Sequence, residues 1–423
     1  MTDRGATATP LTMSPLASMT GGVPARDRLE LVGLAGLLGL AAALQVSIAA
    51  AGICLGITLL FWALSLALRH ERVQVPAFFV PLVVYAALTL VSSAFAQDPR
   101  TSFVDDKQLV LLLVVPAVYH LARGPRAGLI LNVIITVGAL SALVGIVQFG
   151  ILNYDDLGRR PEGFLTHYMT YSGVLLLVIG AAAARLLFSR AWIWPALMMP
   201  ALLVALALTS TRGAWVGACV AVALLLACRN VKLVAALPVL AAIFLVLAPT
   251  QITDRAYSML NLRDPTIQDR LVMLRIGARM VRDHPWTGVG PNMVQPRYAE
   301  YRESSQQPIN PHLHNVPLQI AAERGLPALG AWLWFVIAVL IDLARRLRSA
   351  RERYLPAAAL AATVAMLTAG LSEYNFGDSE FLMLFLMLVT LPYAAQRSET
   401  ETEVVARNGN ESRGGVSSRV VRG

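Results

Sequence analysis

The sequence is poor in charged residues and in cysteine. Only 14% of its 423 residues are charged, whereas 56% are hydrophobic. A soluble globular domain carries about 25% charged residues, so this composition indicates a polytopic membrane protein. The cysteines Cys54, Cys219 and Cys228 all fall within apolar runs and lack metal-binding spacing. We therefore expect neither a structural disulfide nor a cysteine-based metal site.

Long apolar runs recur along most of the chain, each able to cross a hydrocarbon core of about 30 Å as a helix. The short alternating segments typical of a membrane barrel are not found in the sequence. We therefore predict an all-α polytopic membrane protein with about twelve transmembrane helices. The predicted spans cover residues 29–48, 50–69, 75–96, 108–122, 127–150, 166–188, 192–209, 213–228, 231–249, 327–346, 355–372 and 380–396.

Arginine placement predicts the orientation of these spans. With both termini inside, every inner segment carries Lys or Arg, as the positive-inside rule requires. The expected organisation is a disordered cytoplasmic tail (1–28), nine spans (29–249), a large outer loop (250–326), three spans (327–396) and a second disordered cytoplasmic tail (397–423). The first tail lacks the short apolar core of a signal peptide.

The outer face holds cations that orientation does not explain. Of its 14 basic residues 13 are arginine and only Lys107 is lysine. Guanidinium groups bind phosphate oxygens in pairs, which lysine cannot do, so the bias favours a phosphate-bearing ligand. Nucleic acid is not expected on this side of a membrane. Four outer segments carry the unusual polar residues: 157–173, 209–215, 267–292 and 372–380.

Each group of outer arginines has two interpretations. Arg212, in the turn TSTRGAW, either reaches lipid headgroups or faces a cavity between helices. Arg159 and Arg160 precede Pro161, Glu162 and Gly163, an ordered turn that favours a functional role. The carboxylates that accompany the arginines would either position substrate or pair with them. These are Glu162, Glu373, Asp378 and Glu380.

Residues 267–283 have helical periodicity. Leu271, Leu274, Ala278 and Val281 are predicted to form its apolar face, and the sequence places Arg275, Arg279 and Arg282 on another face. One interpretation is an amphipathic helix lying on anionic headgroups. The alternative turns some of these arginines inward towards a diphosphate.

The stretch HLHNVPLQIAAERG (312–325) predicts a short helix that ends at Gly325 and leads into the next span. Asn315 is a good N-cap for it. The adjacent His314 is a candidate general base, because the helix dipole disfavours a charged imidazole at this position. His312 lacks the neighbours of a metal site, and His167 and His284 are expected to be structural.

From about residue 140 to 395 the chain resembles the O-antigen ligase and polymerase superfamily, most closely the O-antigen ligases. The resemblance rests on the ordered motifs RPEG, TSTRGAW, DRLVMLRIGARMVRDHPWTGVGPN and HNVPLQIAAERGLPALG. It implies a multi-pass protein of the bacterial inner membrane that transfers a glycan at the periplasmic face. The donor would be a polyprenyl-diphosphate (undecaprenyl-type) glycan, and the acceptor a hydroxyl of lipid A core.

The resemblance also implies residue roles. The transfer would be inverting and independent of metal and of any cofactor, with His314 as the base. Asn315 beside it is a further substrate-binding candidate. The residues implied to bind the diphosphate are Arg160, Arg212, Arg255, Arg270 and Arg275.

Two alternatives remain open at this point. A polymerase or a protein O-glycosylase of the same superfamily would use the same donor with another acceptor. A polysaccharide transporter would instead carry ionisable residues in the middle of its spans, and the centres of the predicted spans are almost free of charge.

Overall fold

The computed structural model describes residues 25–154, 159–239, 242, 250–261, 263–302 and 309–397. The predicted tails therefore lie almost entirely outside the described residues, as do residues 240–241 and 243–249 of the ninth predicted span. Within the described part every regular element is helical. This confirms the all-α class.

The helices are labelled here in chain order. Short 3₁₀ helices cover Asp106–Leu113, Val231–Ala235, Ser258–Leu260 and Asn375–Gly377. The α-helices are α1 (Ala25–Ala43), α2 (Ile48–Arg69), α3 (Phe79–Ala94), α4 (Pro99–Asp105), α5 (Val114–Leu121), α6 (Pro125–Gly150), α7 (Tyr168–Phe188), α8 (Ile193–Leu208), α9 (Arg212–Arg229), α10 (Thr250–Tyr257), α11 (Pro265–Asp283), α12 (Val294–Tyr301), α13 (Val316–Ser349), α14 (Tyr354–Ala369) and α15 (Ser379–Arg397).

Six of these helices are long and apolar enough to cross a membrane: α2, α6, α7, α9, α13 and α15. Three more, α3, α8 and α14, are apolar but shorter. The chain is thus a multi-pass membrane protein, whereas the count of twelve spans stays a prediction. One predicted span, 108–122, is a 3₁₀ helix followed by the short helix α5. Pro116, which lacks an N–H, lies in the first turn of α5, where proline is tolerated.

The core of the bundle is formed around α7 and α15, the most deeply buried of the six long helices. Small residues let α7 approach α14 closely, since a Cβ on Gly180 would lie only 3.2 Å from the Cβ of Ala361. Such close backbone approach is how membrane helices gain packing energy without a hydrophobic driving force. The centre of the molecule is therefore a rigid frame for the segments at its ends.

Helix α13 bends at Gly325, which has φ 81° and ψ 169°. The prediction of a short helix that ends there and leads into a span is confirmed. Backbone hydrogen bonds to residues 285–290 hold the bend: Leu326 N–H donates to Pro285 O (2.8 Å), Val289 N–H to Ala322 O (2.8 Å) and Gly290 N–H to Glu323 O (2.9 Å).

The predicted apolar face of α11 is not the face that packs against the protein. Leu271 and Leu274 are each 40% exposed. The buried side is formed instead by Met273, Ile276, Gly277 and Met280. A Cβ on Gly277 would lie 2.6 Å from Leu318 and 2.7 Å from Leu313, so the glycine allows α11 to pack closely against the start of α13.

Candidate active site

One end of the bundle collects the loops that carry the predicted site residues. We call it the loop end, defined by residues 159–167, 209–211, 250–302, 309–315 and 370–378. Contacts between Arg212 and Asp264 and between Arg270 and Glu373 join segments distant in the chain. The hydrogen bond from Thr170 to Asp378 adds the fourth segment, so the predicted outer segments come together at one end of the bundle. That this end faces outward stays a prediction.

Glu373 links two of the predicted residues. Its side chain is buried, its Oε1 accepts a hydrogen bond from Arg270 at 2.6 Å, and its Oε2 lies 3.3 Å from Nδ1 of His314. The sequence leaves two roles for Glu373, pairing with an arginine or positioning substrate. The structure gives it an arginine and a histidine at once.

His314 is held in a fixed orientation. Its backbone is left-handed, with φ 47°, and its side chain keeps 18% exposure. If Nδ1–H donates to Glu373, Nε2 keeps the lone pair that a general base needs. The geometry thus orients the ring through Nδ1 and leaves Nε2 available for a proton.

Asn315 performs the capping role that its position predicts. Its Oδ1 accepts from Leu318 N–H at 2.9 Å, and its Nδ2 donates to Leu371 O at 3.0 Å. The next residue, Val316, donates its N–H to Gly370 O at 2.7 Å. These bonds fasten the start of α13 to the segment that carries Glu373, so they also set the distance between Glu373 and His314. A substrate contact for Asn315 stays a prediction.

Arg212 points into the protein and not to the surface. It is buried at the start of α9 and donates to Ser258 and to both oxygens of Asp264, at 3.3 and 2.8 Å. Asp264 in turn caps α11 by accepting from Thr266 N–H. The hydrogen bond from Arg212 lowers the pKa of Asp264 to about 2, so the pair is ionised at neutral pH.

Four of the predicted arginines converge. The guanidinium of Arg255 is half-buried, and burial together with the charges of Arg212, Arg160 and Arg270 lowers its pKa. The Cζ of Arg160 lies 4.3 Å from the centre of the Tyr168 ring. Within the described residues, the Nε donors of Arg160, Arg212 and Arg255 are buried and have no hydrogen-bond partner. We call Arg160, Arg212, Arg255 and Arg270 the arginine cluster.

The remaining arginines of α11 have other positions. Arg275 is exposed on the helix surface, five residues beyond Arg270. Arg279 donates to the carbonyl of Tyr301 at 3.1 Å, and Arg282 is 76% exposed beside Asp283. The three arginines of the predicted stripe are therefore in different environments, and the arginine of α11 that joins the cluster is Arg270.

Further titratable groups surround His314. Burial lowers the pKa of His312 to about 4, with a contribution from the neighbouring His314, which keeps His312 neutral. Burial raises the pKa of Asp378 to about 7, and Thr170 donates a hydrogen bond to it at 3.1 Å. His167 caps α7 by accepting from Met169 N–H, and His284 lies 3.0 Å from Arg297. Both have the structural contacts expected of them.

Glu323 and Arg324 form a buried pair that belongs to the frame of the site. Glu323 accepts from Arg324, from Gln319 Nε2 at 2.8 Å and from Asn292 N–H at 3.1 Å. Ser92 of α3 donates to the Glu323 carbonyl at 2.8 Å. The pair thus fixes the bend of α13 against α3 and the loop around Asn292.

Sequence reasoning missed three partners of the predicted residues: Ser258, Asp264 and Thr170. Ser258 and Asp264 lie in stretches without a distinctive motif, and only the N-cap position of Asp264 before Pro265 could have drawn attention to it. Within the described part of the chain, no group of three or more His, Cys, Asp or Glu side chains has metal-site geometry.

Residues 197–333 match a family model described as O-antigen ligase. The matched region includes Arg212, Arg255, Arg270 and His314, whereas Arg160 and Glu373 lie outside it. No curated protein matches the chain. The match confirms the resemblance recognised in the motifs and supports a place in the O-antigen ligase superfamily, with an O-antigen ligase- or polymerase-like function.

Proposed function

We propose that this chain, whose residues 197–333 match the O-antigen ligase family model, transfers a glycan from a polyprenyl-diphosphate carrier to a hydroxyl of lipid A core. The reaction would take place at the periplasmic face of the bacterial inner membrane. The observation that carries the proposal is the arginine cluster. Three of its four members have a buried donor with no partner among the described residues.

A bound anion would stabilise the arginine cluster. Like charges held together in a half-buried place repel each other, and an unpartnered buried donor costs about 1–3 kcal/mol. Asp264 and Glu373 offset part of the charge of Arg212 and Arg270, but neither is bonded to Arg160 or Arg255. A diphosphate would offer several acceptor oxygens with geometry that suits guanidinium groups.

The arginines would also serve the chemistry. The acceptor oxygen attacks the anomeric carbon, the bond from that carbon to the diphosphate oxygen breaks, and the polyprenyl diphosphate leaves with the electron pair. Fixed positive charge stabilises this leaving group as its charge develops. Attack from the opposite side inverts the anomeric configuration.

His314 would take the proton of the acceptor hydroxyl on Nε2. Glu373 supports this role, since it faces Nδ1 and stabilises the imidazolium that forms. Arg270 on the same carboxylate couples the base to the arginine cluster. The location supports a lipid donor, because the cluster lies at the ends of helices that are long enough to span a membrane.

The test is an assay of the purified full-length chain in detergent with polyprenyl-diphosphate-linked glycan and lipid A core. We expect His314→Ala to reduce transfer by about 10²–10⁴-fold, the usual contribution of a general base, and a chelator to leave transfer unchanged. His284→Ala, a histidine in the same loop end that contacts Arg297, is the matched control and should remain active. Full transfer by His314→Ala would refute the base assignment.

The acceptor is decided by the product of the same assay. Glycan attached to lipid A core supports the ligase proposal. Elongation of one lipid-linked glycan by another, with no product on lipid A core, would instead assign a polymerase. In cells, deletion of the gene should leave unattached lipid-linked polymer, whereas loss of a polymerase would remove the long polymer itself.

A further inference from the structure

A polar cavity lies at the end of the bundle opposite the loop end. It has a volume of about 1120 Å³ and is enclosed by α6, α7, α14, α15 and the connection from α13 to α14. The other ends of these four helices lie at or beside the loop end; near the end of α6, for example, Gln148 accepts from the backbone N–H groups of Glu162 and Gly163. Helix α6 alone, with 26 residues, is about 39 Å long at 1.5 Å per residue. The cavity is therefore separate from the candidate active site.

The cavity is positively charged. Arg185, Arg190 and Arg351 line it, against a single carboxylate, Glu352. Glu352 is hydrogen-bonded to the hydroxyl of Tyr354, and within the described residues no ion pair involves Arg190 or Arg351. Three cations facing one engaged carboxylate favour an anionic occupant.

Buried polar atoms in the wall lack partners. The guanidinium of Arg185 lies over the ring of Tyr354, with its Cζ 4.0 Å from the ring centre, and this contact fixes its position. In the described part of the chain its Nε, which is buried, has no hydrogen-bond partner. A buried donor of this kind is normally satisfied, so a ligand atom is expected beside it.

Two helices begin at the cavity. Gly124 and Pro125 at the start of α6, and Tyr354 and Leu355 at the start of α14, are part of its lining. Each N-terminus adds partial positive charge to the wall of the cavity. Together with the arginines they make an anion site with donors on several sides.

We propose that this cavity binds the phosphate headgroup of an acidic glycerophospholipid. A lipid fits better than a free anion because the cavity opens beside apolar surface: its lining includes Leu129, which is 48% exposed on the membrane-spanning helix α6. The acyl chains would run along this face while the phosphate meets Arg185, Arg190 and Arg351. Basic pockets between helices at the cytoplasmic side bind such headgroups. The inference does not depend on the proposed glycan transfer.

The experiment is native mass spectrometry of the full-length protein in detergent, titrated with phosphatidylglycerol and separately with phosphatidylcholine. We expect a bound phosphatidylglycerol and markedly weaker retention of phosphatidylcholine. The variant Arg190→Gln/Arg351→Gln changes two exposed side chains, so its fold should be preserved. Each lost arginine should weaken phosphatidylglycerol binding about fivefold.

The matched control is Arg345→Gln/Arg348→Gln, which removes two exposed arginines near the same end of α13 that do not line the cavity. It should bind phosphatidylglycerol as the unmodified chain does. Equal losses in both double variants would show nonspecific surface attraction and overturn the proposal. Equal retention of phosphatidylglycerol and phosphatidylcholine would also overturn the proposal. Displacement of phosphatidylglycerol by millimolar inorganic phosphate would overturn it as well, because that result would identify a free-anion site.

Discussion

Arg212 illustrates how one side chain can serve both the fold and the proposed chemistry. Two of its nitrogens are bonded to Asp264 and Ser258, which fasten α9 to the segment that starts α11. Its Nε remains buried without a partner within the described residues. The ion pair therefore holds the guanidinium in place while leaving one donor for a ligand.

Substitution can separate the two roles of Arg212. We expect Arg212→Ala to lower glycan transfer by about 10²–10³-fold, as removal of one fixed donor to a developing anion does. Asp264→Asn breaks the same ion pair but keeps the guanidinium, so it should retain most of the activity. The measurements are transfer rate and melting temperature of both purified variants.

A purely structural Arg212 would give a different result. Both substitutions would then lower the melting temperature and the activity in parallel, because both break the same contact. Arg212→Lys adds a third comparison, since lysine keeps the charge but not the paired geometry. Full activity with lysine would contradict a requirement for the fixed guanidinium geometry at this position.

Glu323 and Glu373 show why residue type alone does not reveal function. Glu323 is enclosed by Arg324, Gln319 and the backbone of Asn292, so its hydrogen-bonding capacity is used within the frame. Glu373 faces an imidazole that is still partly exposed. The same carboxylate is structural in the first environment and suited to orient a base in the second.

At the scale of elements, the bend of α13 positions the site. Gly325 adopts a φ of 81°, and a side chain there would collide with the backbone of Trp286 and Thr287. The bend lets the first turns of α13 present His314 to Glu373 while the rest of the helix continues as a membrane span. Gly288 packs against the backbone of α13 just before the bend, and a Cβ on Gly288 would collide with the Glu323 backbone.

Glycine substitutions within α13 test this account. Gly325→Ala should strongly destabilise the protein, because it adds a collision and a strained left-handed residue. Gly330→Ala changes the same helix five residues later, where a Cβ would meet nothing within 4 Å. For Gly330→Ala we expect no loss of stability, or a gain of about 0.5–1 kcal/mol, because alanine has a higher helix propensity than glycine. Melting temperatures in detergent distinguish the two, and equal effects would refute the proposed importance of the bend.

Helix α11 shows how tertiary contacts choose between faces. Its sequence offers two apolar stripes, one with Leu271 and Leu274 and one with Met273, Ile276 and Met280. Only the second includes Gly277, against which Leu313 and Leu318 of the His314 segment pack. The choice of face also turns Arg270 towards Glu373 and leaves Arg275 exposed.

At the scale of the whole molecule, the two ends of the bundle have different chemistry. The loop end holds the arginine cluster and His314, and the opposite end holds the basic cavity around Arg185. Arginine placement in the sequence predicts that the loop end faces the periplasm. A donor glycan would then meet its acceptor on the side where envelope glycans are assembled.

Cysteine labelling tests the orientation directly. In a background with Cys54, Cys219 and Cys228 replaced by alanine, Trp286→Cys and Arg348→Cys place single thiols at opposite ends. Both positions are exposed, Trp286 by 76%. A membrane-impermeant maleimide, admitted to the periplasm but not the cytoplasm, should label Trp286→Cys in intact cells and Arg348→Cys only after the inner membrane is permeabilised. The reverse pattern would place the loop end in the cytoplasm and contradict the proposed location of the reaction.

The sequence by itself determined the elements. Apolar runs of membrane-spanning length, Gly325 and Pro327 after Arg324, and the capping position of Asn315 are local signals. The structure has the bend and the cap where they predict, and six helices long and apolar enough to span a membrane. The residue types needed for a phosphate site were also visible, since the segments predicted to lie outside carry 13 arginines. These features depend on a few neighbouring residues and on the length of apolar runs.

Only the tertiary structure decided which groups meet. Arg212 and Asp264 are 52 residues apart in the chain, His314 and Glu373 are 59 apart, and Arg270 and Glu373 are 103 apart. No local pattern encodes such pairings, because they follow from how the buried small residues of α7, α9 and α14 allow the helices to pack. The same packing determined the buried face of α11 and brought four arginines together, three of which have a buried Nε without a hydrogen-bond partner among the described residues.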